Sequence, residues 1–198
     1  NVTLDGVDMR QLDPNFLRNQ VLLFSQSPRR FLGTLRENMD LARTDSYSTA
    51  QDLLTALKRF GLDQIIRNHP RGLDMPLGED GLGLSGCQKQ IIALARMTLR
   101  DPKVVLLDEP KTSLDQGTER MALNAIAHWG RNRTMLLVTH RPQVLQIVNR
   151  IIVMENGKVV MDGPRDLVLQ KLMQNEQNKV KAAQQAQENQ RSGEAAQA

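Results

Sequence analysis

Short continuous apolar runs, closed by turn residues, share this chain with stretches whose apolar positions recur every three or four residues. Val2 to Leu4 reads as a short strand before a turn at Asp5-Gly6, and Asp13-Pro14 opens a short helix, Asp as cap and Pro in the first turn. Val21-Leu22-Leu23-Phe24 has the pattern of a strand buried on both faces and stops at Ser25-Gln26-Ser27-Pro28. From Thr34 to about Arg100 the texture is helical: Thr34 to Met39, Ser48 to Phe60 closed by Gly61, and Leu62 to Asn68 closed by His69-Pro70. A glycine-rich loop, Gly78 through Gly86, leads into a helix from Gly86 to Leu99, where Ile91, Ile92, Leu94, Ala95 and Leu99 keep helical spacing.

After Asp101-Pro102 the order becomes strand, helix, strand, which favours a parallel sheet with crossover helices. The strands are Val104 to Leu107, Thr134 to Val138 and Ile151 to Met154, with a helix from about Thr118 to Trp129. Asn156-Gly157 suits a two-residue turn, so Lys158 to Met161 returns beside the preceding strand and a hairpin closes the sheet region. A helix over Pro164 to Leu172 follows. Beyond Met173 the Gln, Asn, Ala, Lys and Glu residues have hardly an apolar anchor, which predicts a disordered tail or a frayed solvated helix. The expected organisation is an α/β core, 1–26 and 101–172, with a helical subdomain inserted over 27–100 and a polar tail over 173–198.

Composition narrows the field. At 198 residues, 40 % hydrophobic and 24 % charged, the chain can bury a core and is neither collagen-like nor wholly disordered. No apolar stretch approaches the roughly 20 residues of a membrane span, and Asn1 to Arg10 lacks a signal region, so the chain as given is expected to be soluble and unprocessed. A net charge of +4 spread along the chain, with 3 % aromatics, argues against nucleic acid as a partner. Cys87 is the single cysteine and the three His are scattered, which fits a reducing, cytoplasmic setting and offers no zinc spacing.

The candidate chemistry sits at strand ends. Val104-Val105-Leu106-Leu107 is followed by Asp108 and Glu109, placing two carboxylates at the carboxyl end of a parallel strand, where open α/β sheets bind ligands. An acidic turn ending an ordinary strand gives the same text. Leu84-Ser85-Gly86-Cys87-Gln88 opens a helix: Ser85 with Gln88 makes a capping box, and a glycine-rich start leaves backbone N–H groups for an anion such as phosphate. Alone it is an ordinary cap. Thr139-His140 follows the apolar run Met135 to Val138, Gln26 follows Val21 to Phe24, and Thr112-Ser113-Leu114-Asp115 lies just beyond Asp108-Glu109.

In this order and at these separations, Gln26, Leu84 to Gln88, Asp108-Glu109, Asp115 and His140 strongly resemble the ATP-binding subunits of ABC transporters. The resemblance covers Val2 to about Leu172 and implies a P-loop NTPase fold, ATP and Mg2+ as ligands, and ATP hydrolysis. It makes Gln26 the Q-loop glutamine, a sensor of magnesium and the γ-phosphate. Leu84, Ser85, Gly86, Cys87 and Gln88 become the signature motif, so that 27–100 is the signature subdomain. Asp108 becomes the Walker B magnesium ligand, directly or through water, and Glu109 the general base or water-polarising carboxylate. Asp115 belongs to the D-loop, and His140 is the switch histidine contacting the γ-phosphate. In such proteins two ATPase subunits pair head to tail, so the signature works in trans.

Phe31-Leu32-Gly33-Thr34-Leu35-Arg36-Glu37-Asn38 and Pro76-Leu77-Gly78-Glu79-Asp80-Gly81 are similar to the post-Q-loop and X-loop segments of exporters. His69-Pro70-Arg71-Gly72-Leu73-Asp74 resembles type I secretion ATPases. These imply export of a protein or peptide, from the cytoplasmic face of a bacterial inner membrane, through a transmembrane domain outside this chain. A Gly-x4-Gly-Lys-Ser/Thr P-loop is absent from the sequence, since Gly157-Lys158 is followed by Val159 and serves the hairpin. The chain therefore reads as truncated before that motif and inactive alone. Cys87 replaces a usual glycine and Lys111 a usual threonine; either could lower turnover. The alternatives are a degenerate subunit that binds a partner and donates only its signature surface, and an ABC-type ATPase of DNA repair or translation.

Overall fold

The computed structural model describes residues 1–25, 32–42, 49–77, 84–110 and 115–178. It divides into two compact units, 1–141 and 142–198.

The first unit opens with a two-stranded ribbon, β1 (Thr3–Leu4) and β2 (Val7–Asp8), turned through Asp5 and Gly6 at positive φ. Helix α1 (Pro14–Gln20) starts where the sequence marks it, with the Asp13 carboxylate accepting from the N–H groups of Asn15 and Phe16. It runs directly into β3 (Val21–Phe24), the first strand of a parallel sheet ordered β3, β6 (Val104–Asp108), β7 (Thr134–Val138). The register pairs Leu22 with Val105 and Met135, and Phe24 with Leu107 and Leu137, so these six share one face. Leu22, Phe24, Val105 and Leu107 are buried there.

The opposite face corrects an expectation. A continuous apolar run reads as a strand covered on both sides, yet Leu23 is 65 % exposed, Leu136 56 % and Val138 55 %. Val104 and Leu106 are half-buried. Apolar composition makes double burial favourable, but whether a layer lies over each face is a tertiary property that a period-two pattern does not encode.

The helical part is built from capped helices. Thr34 and Glu37 form a capping box on α2 (Leu35–Asp40), Thr49 and Asp52 on α3 (Ala50–Arg59), and Ser85 and Gln88 on α5 (Gly86–Met97). Between them lie α4 (Asp63–Asn68) and a 3-10 turn, Gly72–Asp74. Helices α2 and α3 both contact α5, and Leu35, Met39, Leu53, Leu57, Phe60 and Leu94 are at most 2 % exposed. That core is dense enough for one Leu→Ala change to cost about 2–5 kcal/mol.

A two-residue pairing joins β4 (Gly33–Thr34) to β5 (Pro76–Leu77), Gly33 opposite Leu77 and Thr34 opposite Pro76. The Leu35 N–H donates to the Met75 carbonyl (3.0 Å), and the Arg36 guanidinium grips the Asp74 carboxylate (2.7 and 3.3 Å). Helix α6 (Gln116–Trp129) links β6 to β7 as the right kind of crossover for a parallel pair.

In the second unit, β8 (Arg150–Glu155) and β9 (Lys158–Pro164) form the expected hairpin, with Asn156 (φ 49°) and Gly157 (φ 75°) supplying the two left-handed residues of its turn. An Arg150–Asp162 fork (2.8 and 2.7 Å) crosses the pair. Among the described residues the strand bonded to β8 is β9, the antiparallel neighbour across the hairpin, where the sequence order had suggested a parallel one. A partner two residues away is closed at far lower entropic cost than one across a long connection. A helix over 165–178, α7, follows; Pro164 closes β9 instead of opening that helix, which runs past Leu172 with 173–178 exposed.

Candidate functional site

The parallel register brings the carboxyl ends of β3, β6 and β7 to one edge of the sheet: Phe24 lies level with Leu107 and Leu137, and Asp108 with Val138. The next residue on β6, Glu109, leaves the sheet at φ 40°. Asp5 and Asn156, the other non-glycine residues with positive φ among those described, are turn residues of the type that tolerates it. A glutamate there is held against its preference, as strained backbone at functional sites commonly is. What holds it is visible. The Glu109 N–H donates to the Val138 carbonyl (2.9 Å), tying the turn to β7.

From that turn the Glu109 side chain, 26 % exposed, reaches His140 just past the end of β7: Oε1 lies 2.7 Å from Nδ1. A carboxylate only accepts, so with Glu109 ionised the proton sits on Nδ1 and Nε2 is the ring nitrogen left to face a ligand. The His140 ring is 72 % exposed. Asp108, also exposed, stands beside the pair on the sheet face that carries Val138. Two carboxylates and an imidazole at one sheet edge make an acid–base site open to solvent.

The Leu84 to Gln88 stretch sits at the start of α5. The Gln88 N–H donates to Ser85 Oγ (3.2 Å), and Gln88 Oε1 accepts from the Ser85 N–H (2.9 Å). An added Cβ on Gly86 would meet nothing within 4 Å, and its φ is not in the left-handed range. The fold itself therefore does not require glycine at 86, and the space left open suits close approach of a ligand to the backbone. Leu84 and Cys87 are half-buried.

Asp115 caps α6, accepting from Gly117 N–H and Thr118 N–H (3.0 Å each) and from Thr118 Oγ1 (2.6 Å). The Thr118 hydroxyl is the first cause holding its carboxyl below the usual range, followed by the Thr118 N–H. Gln26, Lys111, Thr112 to Leu114 and Gly78 to Gly83 lie outside the described residues.

A family model described as "ABC transporter" matches residues 1–112. The chain belongs to the ABC transporter family. This ABC chain is 39 % identical over 171 residues to a mitochondrial potassium channel ATP-binding subunit of Rattus norvegicus, covering 86 % of itself and 24 % of that protein. It is 37 % identical over 169 residues to an ATP-dependent lipid A-core flippase of Neisseria gonorrhoeae, covering 85 % and 27 %. The structure of a bacterial Atm1-family ABC exporter with ATP bound superposes with a TM-score of 0.75 at 28 % identity, over 84 % of this chain and 29 % of that one. The ABC chain thus has the P-loop NTPase α/β fold. It spans about a quarter of the length of these relatives. Among its described residues no helix is long and apolar enough to cross a membrane.

In the sequence of this ABC segment Asp108, Glu109 and His140 stand at strand ends, and the structure brings Glu109 and His140 into contact there. Glu119 and Arg141, which no motif marks, meet close by. The available signal was a charged residue directly after His140, which has no meaning until the helix it reaches is known.

Proposed function

We propose that this chain is the ATP-binding and hydrolysing domain of an ABC exporter, and the observation that carries the reading is the Glu109–His140 contact beside Asp108. Glu109 takes a proton from the water whose oxygen bonds to the γ-phosphorus of ATP, or polarises that water, while the β–γ bridging oxygen leaves with ADP. His140 brings Nε2 to the site, where the neutral ring accepts from the water and positions it, and where a second proton on the ring would let Nε2 donate to a γ-phosphate oxygen. Among the described residues no cluster of three or more His, Cys, Asp or Glu could hold a metal. Magnesium needs no such cage, since one carboxylate with water and phosphate oxygens suffices, so the exposed Asp108 fits it. Bound there, the ion would neutralise phosphate charge, and Gln26 is proposed from the sequence as the residue that senses it.

Gly86 and its neighbours Leu84, Ser85, Cys87 and Gln88 supply the anion-facing helix start to the nucleotide of a second, head-to-tail subunit, with Asp115 at the same junction. We divide the chain into core (1–26, 101–172), signature subdomain (27–100) and polar tail (173–198). The exporter-like stretches 31–38 and 76–81 support a transmembrane domain as partner, and the secretion-like stretch 69–74 supports a protein or peptide cargo leaving a bacterial inner membrane from its cytoplasmic face.

Two measurements test this. The 198-residue chain, whose sequence has no Gly-x4-Gly-Lys-Ser/Thr, should bind ATP weakly and not hydrolyse it. In a protein joining this segment to a P-loop, Glu109→Gln should stop hydrolysis by at least about 100-fold while keeping ATP bound, the scale of a lost general base. Parental turnover in that variant removes Glu109 from the reaction. A joined protein that neither binds nor hydrolyses ATP before any substitution favours the degenerate-subunit reading.

A further inference from the structure

Close to the Glu109–His140 contact lies an ion pair that hydrolysis does not use. Arg141 Nη2 is 2.5 Å from Glu119 Oε1, the carboxylate side chain 10 % exposed and the guanidinium 27 %. Glu119 sits one turn into α6, its N–H bonded to the Asp115 carbonyl (2.9 Å), and Arg141 is the residue directly after His140. A buried ion pair is a poor device for stability, because desolvation takes back much of the attraction and an apolar pair of the same volume does as well. What it does supply is a fixed direction between two backbones.

That direction is what His140 lacks. Its ring is 72 % exposed, so packing alone hardly orients it. The turn carrying it is fastened on one side by the Glu109 N–H on the Val138 carbonyl (2.9 Å), and within itself by the Arg141 N–H on Thr139 Oγ1 (3.1 Å). The Arg141–Glu119 pair fastens the other side, to α6. We propose that Arg141 and Glu119 are positioning residues that hold the 139–141 turn so that His140 Nδ1 faces Glu109, and that they lock this geometry to the Asp115-capped end of α6. The proposal rests on the reading of Glu109 and His140 as the reacting pair.

The test is 15N NMR of the imidazole rings in the 198-residue chain at fixed pH; there are three His, and His140→Gln assigns the signal. Glu109→Gln sets the scale, moving the His140 Nδ1 resonance by the amount that loss of the carboxylate contact produces. Arg141→Ala should move it by at least half of that amount, and Arg141→Lys by less. Because Arg141→Ala removes a cation from the buried Glu119 and could unfold the chain, Glu119→Leu/Arg141→Met removes the pair while filling its volume. It should stay folded by circular dichroism and show the same displaced resonance. A folded double variant with the parental His140 signal overturns the proposal, whatever its melting temperature. If Glu109→Gln itself leaves the His140 signal in place, the site reading falls and the proposal with it, a result distinguishable from the first.

Discussion

Replacing Ser85 separates two tasks that fall on one helix start. Its hydroxyl accepts the Gln88 N–H at 3.2 Å, while Gln88 returns a bond to the Ser85 N–H at 2.9 Å. Ser85→Ala removes the first bond and leaves the second, because the latter uses the Ser85 backbone. One of the four unpartnered N–H groups of α5 is then handed to water, and since Ser85 is exposed that hydration is available. The cost should be near the middle of the capping range, about 1 kcal/mol. For a chain of this size that lowers the melting temperature by about 2–4 °C. Ser85→Asp restores an acceptor and adds a negative charge at the positive end of α5, so it should melt at or above the parent. The same carboxylate would repel a phosphate, so in a protein joining this segment to a P-loop Ser85→Asp should lose ATPase activity while its stability is kept. Thermal melts of the three chains and steady-state ATPase of the joined proteins decide it. An Ala variant that melts with the parent refutes the cap argument, and an Asp variant with parental turnover refutes phosphate binding at this helix start.

Acid should weaken the tie between α2 and the 72–74 turn. Hydrogen bonding from Arg36 holds the Asp74 carboxyl below its ordinary value of 3.8, so its contribution is fully present above that value and is lost as pH falls through the lowered one. In melts from pH 7 to pH 2, Asp74→Asn should differ most from the parent at neutral pH and converge with it at the acid end; a constant gap would exclude the pair as the cause. Cys87→Gly in the joined protein should raise turnover, and alkylation of the parental thiol should lower it, if the side chain narrows the approach to the nucleotide; equal rates with no effect of alkylation would mean Cys87 only occupies the first turn of α5.

Local signals were the legible ones. Asp13-Pro14 opening α1, Ser85 with Gln88 opening α5, and Asn156-Gly157 turning the hairpin each act within four residues, so the sequence contains both the cause and the effect. The strand Val21–Phe24 was legible as an element but not in its burial, since the exposure of Leu23 depends on what packs over the sheet, which no local pattern specifies. At the site, the strand-end positions of Glu109 and His140 could be read, whereas their contact depends on the β6–β7 register and on a left-handed glutamate. Arg141 and Glu119, 22 residues apart in the chain, become neighbours only once α6 is in place.

Gly33 and Gly86 look alike in the sequence and should behave oppositely under saturation mutagenesis. At Gly33 the backbone stands at φ 126°, and a Cβ would fall 2.3 Å from the Glu37 oxygen that the Thr34 cap requires. Any side chain there is strained by that φ and makes the Glu37 carboxylate swing away from the Thr34 N–H, so abundance in the cell should fall with every substitution. At Gly86 the Cβ has open space, so soluble yield should tolerate alanine or serine, while on the proposed reading the ATPase activity of the protein joined to a P-loop should not. Scoring the same library once for abundance and once for ATPase activity of the joined protein would sort the glycines of this chain into those kept by folding and those kept for the proposed site.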